Sequence, residues 1–189
     1  MEKFSSLDSS NVVVGLDIGT TKIATIIGYR DEDGKIEVLG FGKSESKGVE
    51  FGLIRNINKT VEGINLSKNA AIQRAGVDIL EVYSGIAGRH IKTVEYYHSL
   101  FRRNGKEEII RQEEIDRLQD DVEHVSVTPG ESIIGVIPQY FTIDDRRTTE
   151  PVGELGEHLV GYYQIITGNE TEIKKIIRCV DTADLKANE

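Results

Sequence analysis

The chain has 189 residues, enough for one medium domain or two small ones, and its 38% hydrophobic and 29% charged residues are typical of a globular protein. The formal net charge of -9 disfavours nucleic-acid binding, which needs clustered Lys and Arg, and we expect the pairs Arg102–Arg103 and Arg146–Arg147 to be solvated surface. The single cysteine excludes an internal disulfide, and no apolar stretch approaches the roughly 18 residues of a membrane span, so we expect a cytoplasmic protein.

The first half of the chain predicts a three-stranded meander and then a helix. The polar residues 1–10 are typical of a flexible leader. Apolar and β-branched runs predict strands at 11–16, 22–29 and 36–43. Apolar residues at helical spacing over 56–75, followed by Gly76, predict an amphipathic helix with a glycine stop. The apolar run 80–87 predicts a further strand.

The second half predicts a compact unit of strand, helix, strand and strand. These elements are expected at 91–102, 112–125, 131–143 and 158–167. Pro138 inside the second strand indicates an edge position or a bulge. A last helix is expected after Asn169, with Glu172 completing a capping box. We expect no strand after this helix.

The octapeptide GLDIGTTK lies between the first two predicted strands and has the composition of a phosphate-binding hairpin. Gly19 lets the backbone approach a ligand, and Thr20 and Thr21 offer donors to phosphate oxygens. Lys22 adds a positive charge, and Asp17 is suited to a hydrated Mg²⁺ ion. Seen alone, such a cluster is more often only a turn; the apolar strands on both sides favour phosphate binding.

Other candidate sites are weaker. Neither the Walker A spacing nor G-x-G-x-x-G is present. Four histidines lack ligand spacing with Cys179 or with acidic partners; they are His90, His98, His124 and His158. Cys179 lies beside the apolar stripe of the last helix, where we expect it to pack partly buried. We assign no catalytic residue.

Several stretches of the chain resemble known proteins. The hairpin resembles the first phosphate motif of the actin, sugar-kinase and chaperone ATPase superfamily. Four further stretches resemble the FtsA family of bacterial cell-division proteins, and they are KGVEFGLI at 47–54, YSGIAGRHI at 83–91, IPQYFTID at 137–144 and EPVG at 150–153. The likeness is collinear over 11–181 and concerns the N-terminal portion of such a protein.

The resemblance implies an α/β fold, with an actin-like (ribonuclease H-like) first subdomain and an inserted strand-helix-strand-strand subdomain. It divides the chain into a leader (1–10), the first part of the actin-like subdomain (11–83), the insert (84–162) and a truncated return to the actin-like subdomain (163–189). A second phosphate motif, an adenosine motif and the opposite half of the nucleotide cleft have no counterpart. We therefore expect a fragment of a longer protein.

The resemblance also implies a function, namely that of an ATP-binding protein that links FtsZ to the cytoplasmic membrane and recruits later division proteins during septum formation. The hairpin residues Asp17, Gly19, Thr20, Thr21 and Lys22 would bind the phosphates of ATP, with Asp17 holding Mg²⁺ through water. The insert would support self-association and contacts with other division proteins. FtsZ and the membrane, at the inner face of which the protein would lie, would be reached through parts that this chain lacks.

Two alternatives of other kinds stay open: an actin-like adaptor of pilus assembly and an ATP-dependent metabolic kinase of the same superfamily. An interaction module without a nucleotide is also compatible with the sequence. The family implies weak or no ATPase activity. We expect this chain alone to be inactive, because half a cleft buries too little of a nucleotide.

Overall fold

A computed structural model describes residues 9–86, 88–104 and 108–188 and shows a mixed α/β protein. Of the predicted leader (1–10), only Ser9 and Ser10 lie within these residues. In chain order the elements are β1 (Val12–Ile18), β2 (Lys22–Arg30), β3 (Ile36–Glu45), β4 (Val49–Glu50), β5 (Leu53–Ile54), α1 (Ile57–Ala75), β6 (Glu81–Ser84), β7 (Lys92–Phe101), α2 (Gln112–Glu123), β8 (Glu131–Ile143), β9 (Arg146–Thr148), β10 (His158–Asn169), α3 (Glu170–Thr182) and β11 (Lys186–Asn188).

The chain divides into two compact units. The first consists of Met1–Gly88 together with Thr171–Glu189, and the second consists of Arg89–Glu170. The boundaries predicted at 84 and 163 differ from these. The boundary predicted at 163 falls inside β10, which pairs with β7 and β8 along its length from His158 to Asn169. Because the whole strand belongs to one sheet, the unit ends with the strand. In the described part of the chain, no helix is both long enough and apolar enough to span a membrane.

The first unit is built on a five-stranded sheet in the order β11-β6-β1-β2-β3. β1, β2 and β3 form the predicted antiparallel meander, and β6 runs parallel to β1. The expectation that no strand follows α3 is wrong, since β11 pairs in parallel with β6. Leu185 is buried just before β11, and Lys186 donates its backbone N–H to the carbonyl of Leu80 at 2.8 Å. These contacts hold a polar three-residue segment in the sheet.

Helix α1 packs closely on the meander. The side chain of Asn56 accepts a hydrogen bond from the backbone of Lys59 at 3.0 Å and caps the helix, and Gly76 ends it in the left-handed region at φ 71°. A Cβ on Gly42 of β3 would lie 1.8 Å from the carbonyl oxygen of Ser67, so only glycine permits this approach. The core of the unit includes Val14, Leu16, Ile23, Ile27, Ile64, Val82, Cys179 and Val180.

The second unit is a four-stranded antiparallel sheet in the order β7-β10-β8-β9, with α2 as its helix. β7 and β10, which are the first and last strands of this unit along the chain, are neighbours in the sheet, with Lys92 of β7 opposite Thr167 of β10. The predicted irregularity at Pro138 is confirmed: Tyr162 pairs with Tyr140 and Tyr163 with Pro138, so one residue of β8 is left over. Its own core includes Ile110, Leu118, Val122, Phe141, Ile143, Leu159, Tyr163 and Ile165.

Candidate phosphate-binding hairpin

The predicted site residues lie on the hairpin formed by the end of β1, a tight turn and the start of β2. Ile18 pairs with Ile23, and the backbone N–H of Gly19 donates to the carbonyl of Lys22 at 3.0 Å. This leaves Thr20 and Thr21 as a two-residue tip. The side chains of both threonines, of Lys22 and of Asp17 are exposed. One hairpin therefore presents a carboxylate, two hydroxyls and an ammonium group to solvent.

The position of Asp17 follows from the alternation of side chains along β1. Val14 and Leu16 point into the core, and Asp17 is the next residue, so it faces the other way and is exposed. β1 and β6 are parallel, with Leu16 opposite Ser84, so their carboxyl ends meet at one edge of the sheet. Ligands of open α/β sheets bind at this kind of edge.

Gly19 keeps the turn tight. A Cβ at this position would lie 2.9 Å from the carbonyl oxygen of Lys22, a contact that would force the backbone to shift. The same Cβ would lie 3.8 Å from the Oδ2 atom of Asp17, so a side chain would also occupy space next to the carboxylate. The glycine thus leaves room beside Asp17 for a ligand.

Two backbone groups of the segment 46–52 bind the tip of the hairpin. The N–H of Gly52 donates to the hydroxyl oxygen of Thr20 at 3.0 Å, and the N–H of Ser46 donates to the carbonyl of Thr21 at 3.3 Å. Sequence reasoning missed the contact between Gly52 and Thr20, because it joins positions 32 apart in the chain. The one signal in the sequence was Gly52 itself, because a glycine in a short loop indicates a tight turn.

The hairpin is suited to phosphate and Mg²⁺ rather than to direct metal ligation. Among residues 9–86, 88–104 and 108–188, no three His, Cys, Asp or Glu side chains are close enough to form a metal-binding cluster. Asp17 is a single exposed carboxylate, and Mg²⁺ commonly binds to one or two carboxylates and keeps its waters. The residues present therefore fit a hydrated Mg²⁺ bound to phosphates.

The side chains of the hairpin lie on an open surface and line neither of the two concave regions of the first unit. Two concave regions of the first unit have volumes of about 440 and 260 Å³, and neither includes a hairpin residue. The larger is lined by the start of α1 with Arg55 and Lys175, and the smaller by the amino end of β1 with Arg30 and Tyr83. Neither region contains the predicted site residues. The hairpin is therefore a candidate site because of the side chains it carries, and not because it lines a cavity.

Two of the four histidines lie next to single carboxylates. His98 lies 3.3 Å from the carboxylate of Asp121, and His124 lies 3.6 Å from that of Asp120, as pairs rather than ligand sets. Cys179 was expected to be partly buried, and it is fully buried. Burial raises the pKa of its thiol to about 11, which keeps it protonated at neutral pH and unsuited to nucleophilic chemistry.

Comparison with known proteins gives the family of the chain. Residues 88–167 match the family described as the SHS2 domain inserted in FTSA. Cell division protein FtsA of Neisseria meningitidis is 31% identical over 175 residues, and that of Pseudomonas aeruginosa is 30% identical over 186 residues. These alignments cover 92% and 98% of this chain. The chain is a homologue of the N-terminal part of FtsA.

The match to FtsA concerns part of those proteins. The alignments cover 42% of the Neisseria FtsA and 44% of the Pseudomonas FtsA, so the chain spans less than half the length of these relatives. A solved PilM-PilN type IV pilus biogenesis complex contains a chain with the same fold, with a TM-score of 0.54 over 94% of this chain and 46% of that chain. At 11% identity this likeness concerns the fold alone. It confirms the predicted actin-like α/β class.

Proposed function

We propose that this chain is part of an actin-like, ATP-binding cell-division protein. The similarity to FtsA over more than nine tenths of the chain supports the division role. By the family resemblance, the whole protein would link FtsZ to the inner face of the cytoplasmic membrane at the division site and recruit later division proteins. FtsZ and the membrane would be bound through parts outside this chain.

The hairpin would hold the terminal phosphates of Mg·ATP. The observation that carries this proposal is the presence of four exposed polar side chains close together in the chain, with Asp17 near the end of β1, Thr20 and Thr21 on the turn and Lys22 at the start of β2. Lys22 would neutralise a phosphate oxygen, and Asp17 would bind the waters of Mg²⁺. The hydroxyl of Thr20 accepts from Gly52, so its own hydrogen can donate to a phosphate.

The proposed nucleotide site predicts weak binding and no useful hydrolysis by this chain alone. The hairpin covers one side of a ligand, whereas sites of high affinity bury most of the ligand surface. We expect a dissociation constant for Mg·ATP in the millimolar range and no phosphate release above background in a sensitive phosphate assay.

An NMR titration of the ¹⁵N-labelled chain with Mg·ATP tests the site. We expect the largest amide shifts at Gly19–Lys22 and Gly52. Lys22→Ala should weaken binding about fivefold, the effect of losing roughly 1 kcal/mol of charge attraction near water. Lys35→Ala is the matched control, because Lys35 follows the other turn of the same meander. Equal affinity in the two variants, or shifts elsewhere only, would exclude a phosphate site at the hairpin.

The insert supplies the surface that we propose for self-association and for contacts with other division proteins. On one face of its sheet, Tyr97, Tyr162 and Tyr140 of three neighbouring strands form a row, with ring centroids 6.0 and 4.4 Å apart, and Arg147 of the fourth strand lies over Tyr140. Phe101, on the same edge strand as Tyr97, is 70% exposed. Exposed aromatic and arginine side chains are enriched at protein interfaces.

Sedimentation of the purified chain at increasing concentration tests this surface. We expect the replacement of both Tyr97 and Phe101 by Ser to weaken any self-association, because the exposed apolar area decreases. Replacing Val152, which is exposed in a connecting segment of the same unit, is the control. Unchanged association in the double variant would exclude this face as the contact.

A further inference from the structure

β7 is a long edge strand without the usual protection against further pairing. It is the first strand in the order β7-β10-β8-β9, so its only neighbour among the described residues is β10. It pairs with β10 over ten residues without a register shift, and it contains neither Gly nor Pro. A regular edge strand is a template for pairing with another chain, and proteins commonly interrupt such edges with a bulge, a Pro or a covering segment.

The other long edge strand of the protein, β3, is protected. Its pairing with β2 has a register shift beside Gly28, and the guanidinium of Arg74 in α1 donates to the carbonyl of Phe41 at 2.6 Å. The remaining edges of the two larger sheets belong to β9 and β11, which have three residues each. Among these edges, β7 therefore offers the longest regular backbone to a further strand.

One hydrogen bond shows which backbone groups of β7 face the free edge. Arg102, the residue after the strand, donates its N–H to the carbonyl of Glu157 at 2.7 Å and thus faces the β10 side. Backbone groups of successive residues in an antiparallel strand point to alternate sides. The free edge is therefore lined by every second residue, and the side chains of these residues are exposed; they are Thr93, Glu95, Tyr97, Ser99 and Phe101.

We propose that β7 pairs with β7 of a second copy of the chain, antiparallel and in the register centred on Ser99. This inference rests on the self-association proposed above and adds the strand and the register that produce it. In this register Tyr97 lies opposite Phe101 of the second copy, and Glu95 lies opposite its Arg103. Aromatic pairs and pairs of opposite charge across two strands favour pairing. Because the contact has a two-fold axis, each pair occurs twice.

The register follows from two features that are independent of each other. Tyr97 and Phe101 are 67% and 70% exposed, and only a centre at Ser99 places one opposite the other. The same centre is the only one that places the exposed Glu95 opposite the exposed Arg103. A single pair of strands buries less surface than a standard protein interface, so the dimer is weak.

An exchange of charges tests the pairing. Glu95→Arg and Arg103→Glu each create two pairs of like charges in the dimer, so each variant alone should associate about tenfold more weakly than the wild type in sedimentation experiments. An equimolar mixture of the two variants restores both pairs of opposite charge and should associate as the wild type does. Glu113→Arg makes the same change of charge at an exposed position of α2, and this control should leave association unchanged.

A cysteine on the two-fold axis tests the register. In Ser99→Cys the two new thiols would lie opposite each other, with Cα atoms about 5.5 Å apart, a distance that a disulfide spans. We expect oxidation by air to link Ser99→Cys into dimers and to leave Thr93→Cys monomeric, because the two positions 93 lie far apart in this register. The native Cys179 is fully buried, so the wild type serves as a blank.

The outcomes separate strand pairing from self-association in general. A wild-type chain that stays monomeric at high concentration would overturn both proposals. If replacing both Tyr97 and Phe101 by Ser weakens association, but mixing the two charge variants restores nothing, the face with the row of tyrosines stands as the contact and the pairing of β7 is overturned. Equal linking through positions 93 and 99 would overturn the register.

Discussion

At the scale of single residues, Arg102 shows how a charge is accommodated inside the second unit. It is only 7% exposed, and its guanidinium donates to the carboxylate of Glu114 at 2.6 Å and to the carbonyls of Gly156 and Glu108 at 2.7 and 2.9 Å. A buried charge is tolerated only when its donors are satisfied. Arg102 therefore holds together the connections that precede α2 and β10.

Replacing Arg102 should destabilise the protein strongly. We expect Arg102→Ala to lower the free energy of unfolding by about 3 kcal/mol, because the Glu114 carboxylate and two carbonyls lose their partner. Urea unfolding followed by circular dichroism measures the effect. Arg103→Ala is the matched control, since the adjacent Arg103 is exposed, and it should stay within about 0.5 kcal/mol of the wild type. Similar losses in both variants would contradict this role.

Glu114 should make stability depend on pH. Burial raises the pKa of Glu114, but hydrogen bonds from Arg102 and from the backbone of Arg111, with both guanidinium charges, lower it below its ordinary 4.5. A carboxyl group with a lowered folded-state pKa stabilises the fold above its unfolded pKa and loses that contribution as the pH falls through the folded value. Wild-type stability should therefore decrease more below pH 4.5 than that of Glu114→Gln. Parallel curves would contradict the assignment.

Local sequence showed which residues lie together on the hairpin, but it did not show the burial of Arg102. Asp17, Gly19, Thr20, Thr21 and Lys22 are neighbours in the chain, so the turn alone brings them together. Arg102 was expected at the surface as one of a basic pair, and this expectation is wrong. Charge patterning could not show that its guanidinium binds the carbonyl of Gly156, 54 positions away. The contact between Thr20 and Gly52 was missed for the same reason: it joins positions 32 apart.

At the scale of elements, the turn between β8 and β9 offers a matched pair of substitutions. Asp144 and Asp145 both have positive φ, at 46° and 66°. Both side chains are exposed, but the carboxylate of Asp144 accepts hydrogen bonds from the backbone of Glu157 and His158, at 3.1 and 2.9 Å, and no such bond to the Asp145 carboxylate is found among the described residues. Glycine relieves the backbone cost at both positions but removes useful bonds at only one.

We expect the two glycine variants to have opposite effects. Asp145→Gly should raise the free energy of unfolding by about 0.5 kcal/mol, because glycine adopts positive φ without a Cβ clash. Asp144→Gly should lower it by about 1 kcal/mol or more through the loss of charge-assisted hydrogen bonds. Thermal unfolding of both variants measures this difference. A stabilised Asp144→Gly would show that the carboxylate contacts contribute little.

Periodicity predicted the long elements and missed the short ones. The strands of the meander, α1, α2 and β8 have apolar patterns long enough to identify them. Pro138 predicted either an edge position or a bulge in β8, and the bulge is confirmed. β11 is a polar segment of three residues, and backbone hydrogen bonds to β6 decide its structure. Such pairing depends on a strand about a hundred positions away, which no local pattern contains.

At the scale of the whole molecule, the two units have separate hydrophobic cores. Ile64 and Leu118 are fully buried, one in each core. We expect Ile64→Ala and Leu118→Ala each to cost about 2–5 kcal/mol, through lost burial and a cavity. Amide hydrogen exchange should show faster exchange in the unit that carries the substitution and little change in the other. Uniform acceleration across both units for either variant would indicate one cooperative core instead.

The neighbouring positions of β7 and β10 have an evolutionary consequence. The chain leaves the first unit and returns to it through two adjacent strands of one sheet, about 4.8 Å apart. A unit attached in this way, here called the module, can be lengthened, shortened or exchanged for another. The two positions at which the chain leaves and re-enters the first unit then stay close together. Descendants of a common ancestor can therefore diverge in this module while the sheet that carries the hairpin stays the same.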